Sequence, residues 1–157
     1  MPKNKSLKDK ILKVIKGEKL ASLATIAGGR PACLQSGRPW VRYAVSHNDG
    51  LGLNLYICTY KDSRKAAQIK KNPNVHITIG GNMDNLEAPY VQIAAKARMR
   101  ADAQVRKRFW REFMRKYYAG PDDPAYVVIE ARPELIEYMS SETHTPQIYR
   151  IKRLSRR

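Results

Sequence analysis

The sequence predicts a mainly β protein: a small barrel or strongly curved antiparallel sheet with peripheral helices. Three observations predict it. Several short segments alternate apolar and polar side chains with a period of two, and helical spacings or turn residues separate them. The order is one helix, several antiparallel strands with helices inserted, then more strands. At 157 residues with 43% hydrophobic content, the chain makes one domain, 1–157, able to bury a core without disulfide or metal staples.

The elements follow in order. Leu7, Ile11, Val14 and Ile15 share one helical face while Lys8, Lys10, Lys13 and Lys16 turn away. Residues 7–16 therefore form a short amphipathic helix covering something apolar, with Gly17 as its stop. The period then changes. LASLATI (20–26) reads as a half-buried strand, and Gly28-Gly29 as a turn. PWVRYAVS (39–46) alternates Val41, Tyr43 and Val45 against Arg42, Ala44 and Ser46. HNDG (47–50) is a hairpin signal, and LNLYICTY (53–60) alternates again, so the pair predicts an antiparallel hairpin. KDSRKAAQIKKNP (61–73) offers Asp62 or Ser63 as N-cap, a run of helix formers, and Asn72-Pro73 as the stop. VHITI (75–79) and YVQIAAKARM (90–99) are strands joined by the loop GGNMDNLEAP. Residues 103–118 carry the clearest helical stripe: Phe109, Trp110, Phe113, Met114 and Tyr117, opposite a basic face. AYVVIEA (125–131), ELIEYM (134–139) and QIYRI (147–151) complete the set as short strands.

Composition excludes several classes. No apolar run approaches the ~20 residues of a membrane span, and MPKNKSLKDK lacks the apolar stretch of a secretory signal. Cys33 and Cys58 have no metal-ligand spacing and read as reduced thiols of a cytoplasmic protein. His47, His76 and His144 are scattered, so no metal site is expected. The net charge is +16, which favours an anionic partner. Residues 1–19 hold seven lysines against Asp9 and Glu18, and RIKRLSRR holds five basic residues without an acid, so the ends carry +10 of that total. The termini, 1–6 and 152–157, read as flexible solvated tails.

The stretch T-Y-K-D-S-R-K, Thr59 to Lys65, leaves a strand and enters a helix. Helix N-termini present unpaired backbone N–H groups and a positive dipole end. Thr59, Ser63, Arg64 and Lys65 would add hydroxyls and two cations there, a set suited to a phosphate monoester. An ordinary capped helix with Arg and Lys facing water accounts for the same spacing. Arg42 on the neighbouring strand, with small Ala44 and Ser46 on its own face, either reaches a bound anion or pairs with an acidic residue nearby.

The segment V-R-Y-A-V-S-H-N-D-G-x-x-L-N-L-Y-I-C-T-Y-K-D-S-R-K-A-A-Q-I-K-K-N-P-N-V-H-I-T resembles the core of the pyridoxamine 5′-phosphate oxidase-like FMN-binding split barrels. Within them it is most similar to the general stress protein branch. The resemblance runs from about residue 20 to residue 100 and continues weakly beyond. It implies a six-stranded antiparallel split barrel and a homodimer with FMN at the interface. By position, Arg42, Tyr43, Ala44 and Val45 would lie along the flavin, with Cys58 also among the cofactor contacts. Thr59, Arg64 and Lys65 would grip the phosphate, with Ser63 in the same motif. Tyr90 stands where many members place a flavin-contacting Gln, and Gln92 follows two residues on.

Departures from the family pattern limit the activity. His47 replaces a substrate-contacting Lys, which removes a fixed positive charge at neutral pH. R-K-Y-Y-A-G-P-D-D-P replaces the R-x-x-x-S substrate motif. Met139 stands for a flavin-packing Trp, Pro146 falls near a flavin-contacting Arg, and His144 is the one remnant of the substrate pair. The expectation is a flavin-dependent oxidoreductase acting on an unknown small molecule, with a nicotinamide donor possible at the flavin face, and not a true pyridoxamine phosphate oxidase. No catalytic acid–base pair or nucleophile is visible. A basic nucleic-acid-binding module is the rival and is disfavoured: the aromatic residues of 103–118 fall on an apolar stripe that core packing explains, and no nucleic-acid motif is present. A split barrel holding haem or a deazaflavin is the other alternative.

Overall fold

The computed structural model describes residues 6–27 and 37–151. The Gly28-Gly29 turn, Cys33 and the tails at 1–5 and 152–157 lie outside these residues. The elements run α1 (Leu7–Ile15), β1 (Gly17–Ile26), β2 (Pro39–Asn48), β3 (Leu55–Tyr60), α2 (Arg64–Lys71), β4 (Asn74–Gly80), β5 (Tyr90–Arg100), α3 (Ala103–Phe109), a 3₁₀ turn (Glu112–Lys116), β6 (Tyr126–Met139) and β7 (Gln147–Arg150).

All strand pairings are antiparallel, in the order β3-β2-β1-β4-β5-β6-β7. A further pairing of β3 with β6 closes the first six strands into a barrel, and β7 extends β6 outside it. Strict alternation sends Leu23, Ile57, Ile77, Ile79, Val91, Ile93, Ile129 and Ile136 into one core. Ile11 and Ile15 of α1 join that core, so the amphipathic helix does cover an apolar opening. Ser6, which the sequence reading assigns to the tail, is the N-cap of α1: its Oγ accepts from the Asp9 amide, and Asp9 reaches back to close a capping box. Gly17 has φ +80°, as a stop at that position requires.

Three expectations need correction. The segments 125–131 and 134–139 form one 14-residue strand. Pro133 has no N–H to give the ladder, and the register against β5 shifts there, between Ala94 and Ala95, so the strand continues through a bulge. The helix 103–118 stops at Phe109. Trp110 and Arg111 are extended, and a 3₁₀ turn follows. Its stripe divides accordingly: Phe109 and Met114 are buried with Tyr56, Tyr118 and Tyr126, whereas Phe113 and Tyr117 are exposed. The core-packing explanation of the aromatic residues therefore does not extend to those two. The hairpin 39–60 is thin: β2 meets β3 at His47 opposite Tyr56, and its full-length partner is β1.

Candidate functional site

The site begins where β3 hands over to α2. Ser63 is extended, with φ −65° and ψ 150°, and its Oγ accepts from the Ala66 amide at 3.3 Å. Asp62, the alternative N-cap, precedes it. Thr59 is buried at the end of β3 and its hydroxyl donates to Ser63 Oγ at 3.2 Å. With the Ala66 and Ala67 amides engaged by Ser63, the amides of Arg64 and Lys65 remain at the open, dipole-positive end of the helix.

Arg42 comes to this end of the barrel from β2. Its side chain lies inward of the strand, as do those of Ala44 and Ser46. One guanidinium nitrogen donates to the Leu23 carbonyl at 3.2 Å and to Thr25 Oγ1 at 2.6 Å; the other donates to Gln68 Oε1 at 2.9 Å. Thr25 and Gln68 are themselves buried, and the Thr25 hydroxyl donates to the same Gln68 oxygen at 2.5 Å. Between an anion contact and an acidic partner, the sequence left Arg42 open; the structure pins it with neutral groups. Arg64 lies across the open end, its guanidinium 5.2 Å from the centroid of the Trp40 ring. That stacking leaves its N–H edges available.

Electrostatics tie the three cations together. Burial and the neighbouring Arg64 charge lower the pKa of Arg42. Burial and the Arg42 charge lower that of Lys65. Among the described residues none of Arg42, Arg64 and Lys65 forms an ion pair with a carboxylate, although nine such pairs of other lysines and arginines occur there. Three like charges beside a helix N-terminus, uncompensated by acid, constitute a cradle that an anion would complete.

The remaining predicted residues fall in two places. Tyr43 and Val45 continue the β2 edge, with outward side chains 76% and 44% exposed; Ala44 lies between them on the inner side, and Cys58 is on β3 beside Thr59. Val41 shares their face, and Leu20 sits directly opposite Val45 on β1, 66% exposed, so the β1–β2 surface presents an apolar stripe. Tyr90 and Gln92 share the outer face of β5, half-buried. Tyr43, Ser22, Thr78 and Gln92 are successive cross-strand partners, which puts Gln92 three strand spacings, about 14 Å, from the β2 edge. Tyr90 lines a separate cavity of about 330 Å³ with Met139 and His144. Thus Thr59, Ser63, Arg64 and Lys65, expected at the phosphate, converge with Arg42; Tyr43 to Val45 follow on the same strand, and Tyr90 and Gln92 lie elsewhere on the barrel.

Three members of the cradle were not read from sequence. Thr25 and Gln68 orient Arg42, and Trp40 stacks on Arg64. The one available signal was Gln68, a polar residue on the inner face of the helix, next to Ile69. His47 is buried, its Nδ1 3.4 Å from Glu18 Oε1 without a hydrogen bond. Burial pushes its imidazole below the usual range, with Glu18 opposing and Arg111 adding to the shift. Cys58 is free; burial raises its thiol pKa, and Sγ lies 3.3 Å from the Tyr126 hydroxyl. No group of three metal-ligating side chains occurs among the described residues, nor does any helix long and apolar enough to cross a membrane.

Comparison with known proteins places this geometry. Residues 7–140 match the family model described as pyridoxamine 5′-phosphate oxidase. General stress protein 26 of Bacillus subtilis (strain 168) is 35% identical over 140 residues, covering 89% of this chain and 93% of that protein. The crystal structure of general stress protein 26 from Bacillus anthracis str. Sterne superposes with a TM-score of 0.73 at 27% identity, covering 92% of this chain and 98% of that one. At lower identity the fold recurs in a heme binding protein of Mycobacterium smegmatis (TM-score 0.68, 13%) and in an F420 reductase (0.57, 21%), likenesses of fold alone. A closed barrel with this strand order, a phosphate-suited helix start and a match over most of its length give one conclusion: the chain belongs to the pyridoxamine 5′-phosphate oxidase family.

Proposed function

We propose that this protein is an FMN-binding flavoprotein, an oxidoreductase acting on a small molecule other than pyridoxamine phosphate, and that it works as a homodimer with the cofactor between protomers. The observation that carries the reading is the cluster of Arg42, Arg64 and Lys65 at the start of α2, none of them ion-paired with a carboxylate among the described residues. A phosphate dianion there accepts from the two guanidinium groups, the Lys65 ammonium, the open helix amides and the Ser63 hydroxyl, which Thr59 orients, in charge-assisted bonds. Arg42 needs no reorganisation to do so, because Thr25 and Gln68 already fix its plane. Bound flavin supplies hydride or single-electron chemistry. The protein's part is to hold the phosphate, align the ring along Tyr43 to Val45, and admit a substrate or a nicotinamide donor to the exposed face.

The dimer reading rests on incompleteness. One chain has a phosphate cradle beside an uncovered apolar stripe, and a distant Tyr90–Met139–His144 surface that lacks such a cradle. A second copy would cover the stripe and bring that surface to the ring. Pyridoxamine phosphate itself is disfavoured because His47, held neutral by burial, offers no fixed charge for a substrate phosphate.

The test is FMN titration of Arg64→Ala with Lys65→Ala. Each charge-assisted bond is worth about 1.5–3 kcal/mol, so affinity should fall by about 10²-fold or more while circular dichroism stays unchanged. Unaltered FMN affinity in the folded variant would remove the cradle as the phosphate site. A deazaflavin phosphate would use the same donors, and chromatography of the released chromophore separates the two.

A further inference from the structure

Beside the cradle, β2, β3 and the 3₁₀ turn enclose a second cavity of about 170 Å³. Val45, His47, Cys58, Phe113, Met114, Tyr117 and Tyr118 line it. Its interior is apolar and aromatic. Met114 and Tyr118 are buried, and Tyr118 is braced by ring contacts to Tyr60 at 4.6 Å, Tyr126 at 5.1 Å and Trp110 at 6.4 Å. The rim is open at Phe113 and Tyr117, 55% and 60% exposed, while Val45 on its other side belongs to the stripe that a second copy would cover. These exposed aromatic side chains are the part of the 103–118 stripe that the core does not use.

Size and charge narrow the occupant. A dry apolar cavity of about 150 Å³ holds one benzene ring, so 170 Å³ accommodates a single six-membered ring with a small substituent. No lining side chain carries a fixed charge. The imidazole of His47 and the thiol of Cys58 are both driven toward their neutral forms by burial. The nearby arginines are already engaged: Arg108 pairs with Asp49, Arg111 with Glu18 and Arg115 with Glu112. Among the described residues no free cation stands here to hold an anion, in contrast to the cradle of Arg42, Arg64 and Lys65.

We infer that this pocket binds a single uncharged aromatic ring, of the size of a phenol or small quinone, and presents it to the cofactor edge at Val45 and Cys58. Its meaning as a substrate site rests on the flavin reading above. The binding itself does not. His47, Cys58, Tyr117 and Tyr118 are the lining residues with a polar side-chain group, so a hydroxyl or carbonyl on the ring suits the site better than a bare hydrocarbon.

The experiment titrates phenol, and separately phenyl phosphate, into the purified full-length protein. Amide chemical shifts are followed by NMR and flavin content is read from the absorbance of the same sample. The expected result is saturable phenol shifts at Val45, Cys58, Met114 and Tyr118, with phenyl phosphate at least 10-fold weaker at those amides. Phe113→Asp, at an exposed rim position, should weaken phenol at least 5-fold with spectral dispersion preserved, and Tyr117→Ala should weaken it in the same sense. Phenol shifts absent from those residues, phenyl phosphate binding there as tightly as phenol, or insensitivity to both folded variants would overturn the proposal. A sample that binds phenol at those amides but takes up no FMN would refute the flavin reading and leave the ring site standing. A sample carrying FMN without phenol shifts there would do the reverse.

Discussion

At the scale of single residues, the cradle is a place where function costs stability. Lys65 is half-buried and faces Arg42, and both effects disfavour its charge. Removing that charge in Lys65→Met should therefore raise the melting temperature of the FMN-free protein. The gain is on the order of 0.5 kcal/mol, or about 1–2 °C for a domain of this size. The same variant should lose the stabilisation that added phosphate gives the wild type. A lower melting temperature in Lys65→Met would mean that Lys65 supports the fold instead of a ligand. His47 provides a pH test. Its imidazole titrates below its ordinary value near 6.5 because it is buried, so around that pH the unfolded chain binds more protons than the folded one. The stability this contributes is complete above about pH 6.5 and is lost as pH falls through that value toward the lower folded one. Melting curves between pH 8 and pH 5 should show this loss in the wild type and a smaller one in His47→Gln. A wild type that instead gains on the variant upon acidification would show pairing with Glu18 to outweigh burial.

Elements differ in how plainly the chain announces them. The presence of α1, α2 and the first five strands follows from caps and period-two alternation, although β1 begins at Gly17 and not at Leu20, and the Ser63 cap fell within the two candidates because a hydroxyl before a run of helix formers is a local signal. What failed was non-local. The helix over 103–118 has an unbroken apolar stripe, yet Trp110 packs edge-on against Tyr126 at 5.6 Å and the backbone turns extended there to allow it. The inward set of β2 was also obscured. Val41, Tyr43 and Val45 are the apolar members and would ordinarily mark the core face, but they point outward and Arg42, Ala44 and Ser46 point in. The proposed dimer interface accounts for that inversion. Leu20→Glu with Val45→Glu places two carboxylates opposite each other on this stripe. Sedimentation equilibrium should show a dimer for the wild type and a folded monomer for the variant. Dimers surviving both substitutions would move the interface to another face.

Across the whole molecule, strand order explains why Tyr90 and Gln92 stand apart from the other residues expected around the flavin. With β1 and β4 between them, Tyr43 on β2 stands about 14 Å, three strand spacings, from Gln92 on the outer face of β5. From the sequence, Arg42, Tyr90 and Gln92 look equally near the cofactor, since position along a chain carries no distance around a barrel. The residues of the proposed phosphate site were legible as a group because they are local, contained in residues 59–65. The neutral grip of Thr25 and Gln68 on Arg42 spans three elements and left no linear trace. The central claim is that this barrel carries FMN. The most direct measurement is the visible absorption spectrum of freshly purified protein, with the released chromophore identified by chromatography. The account predicts a yellow protein that yields FMN; a colourless protein that takes up no added FMN would contradict it.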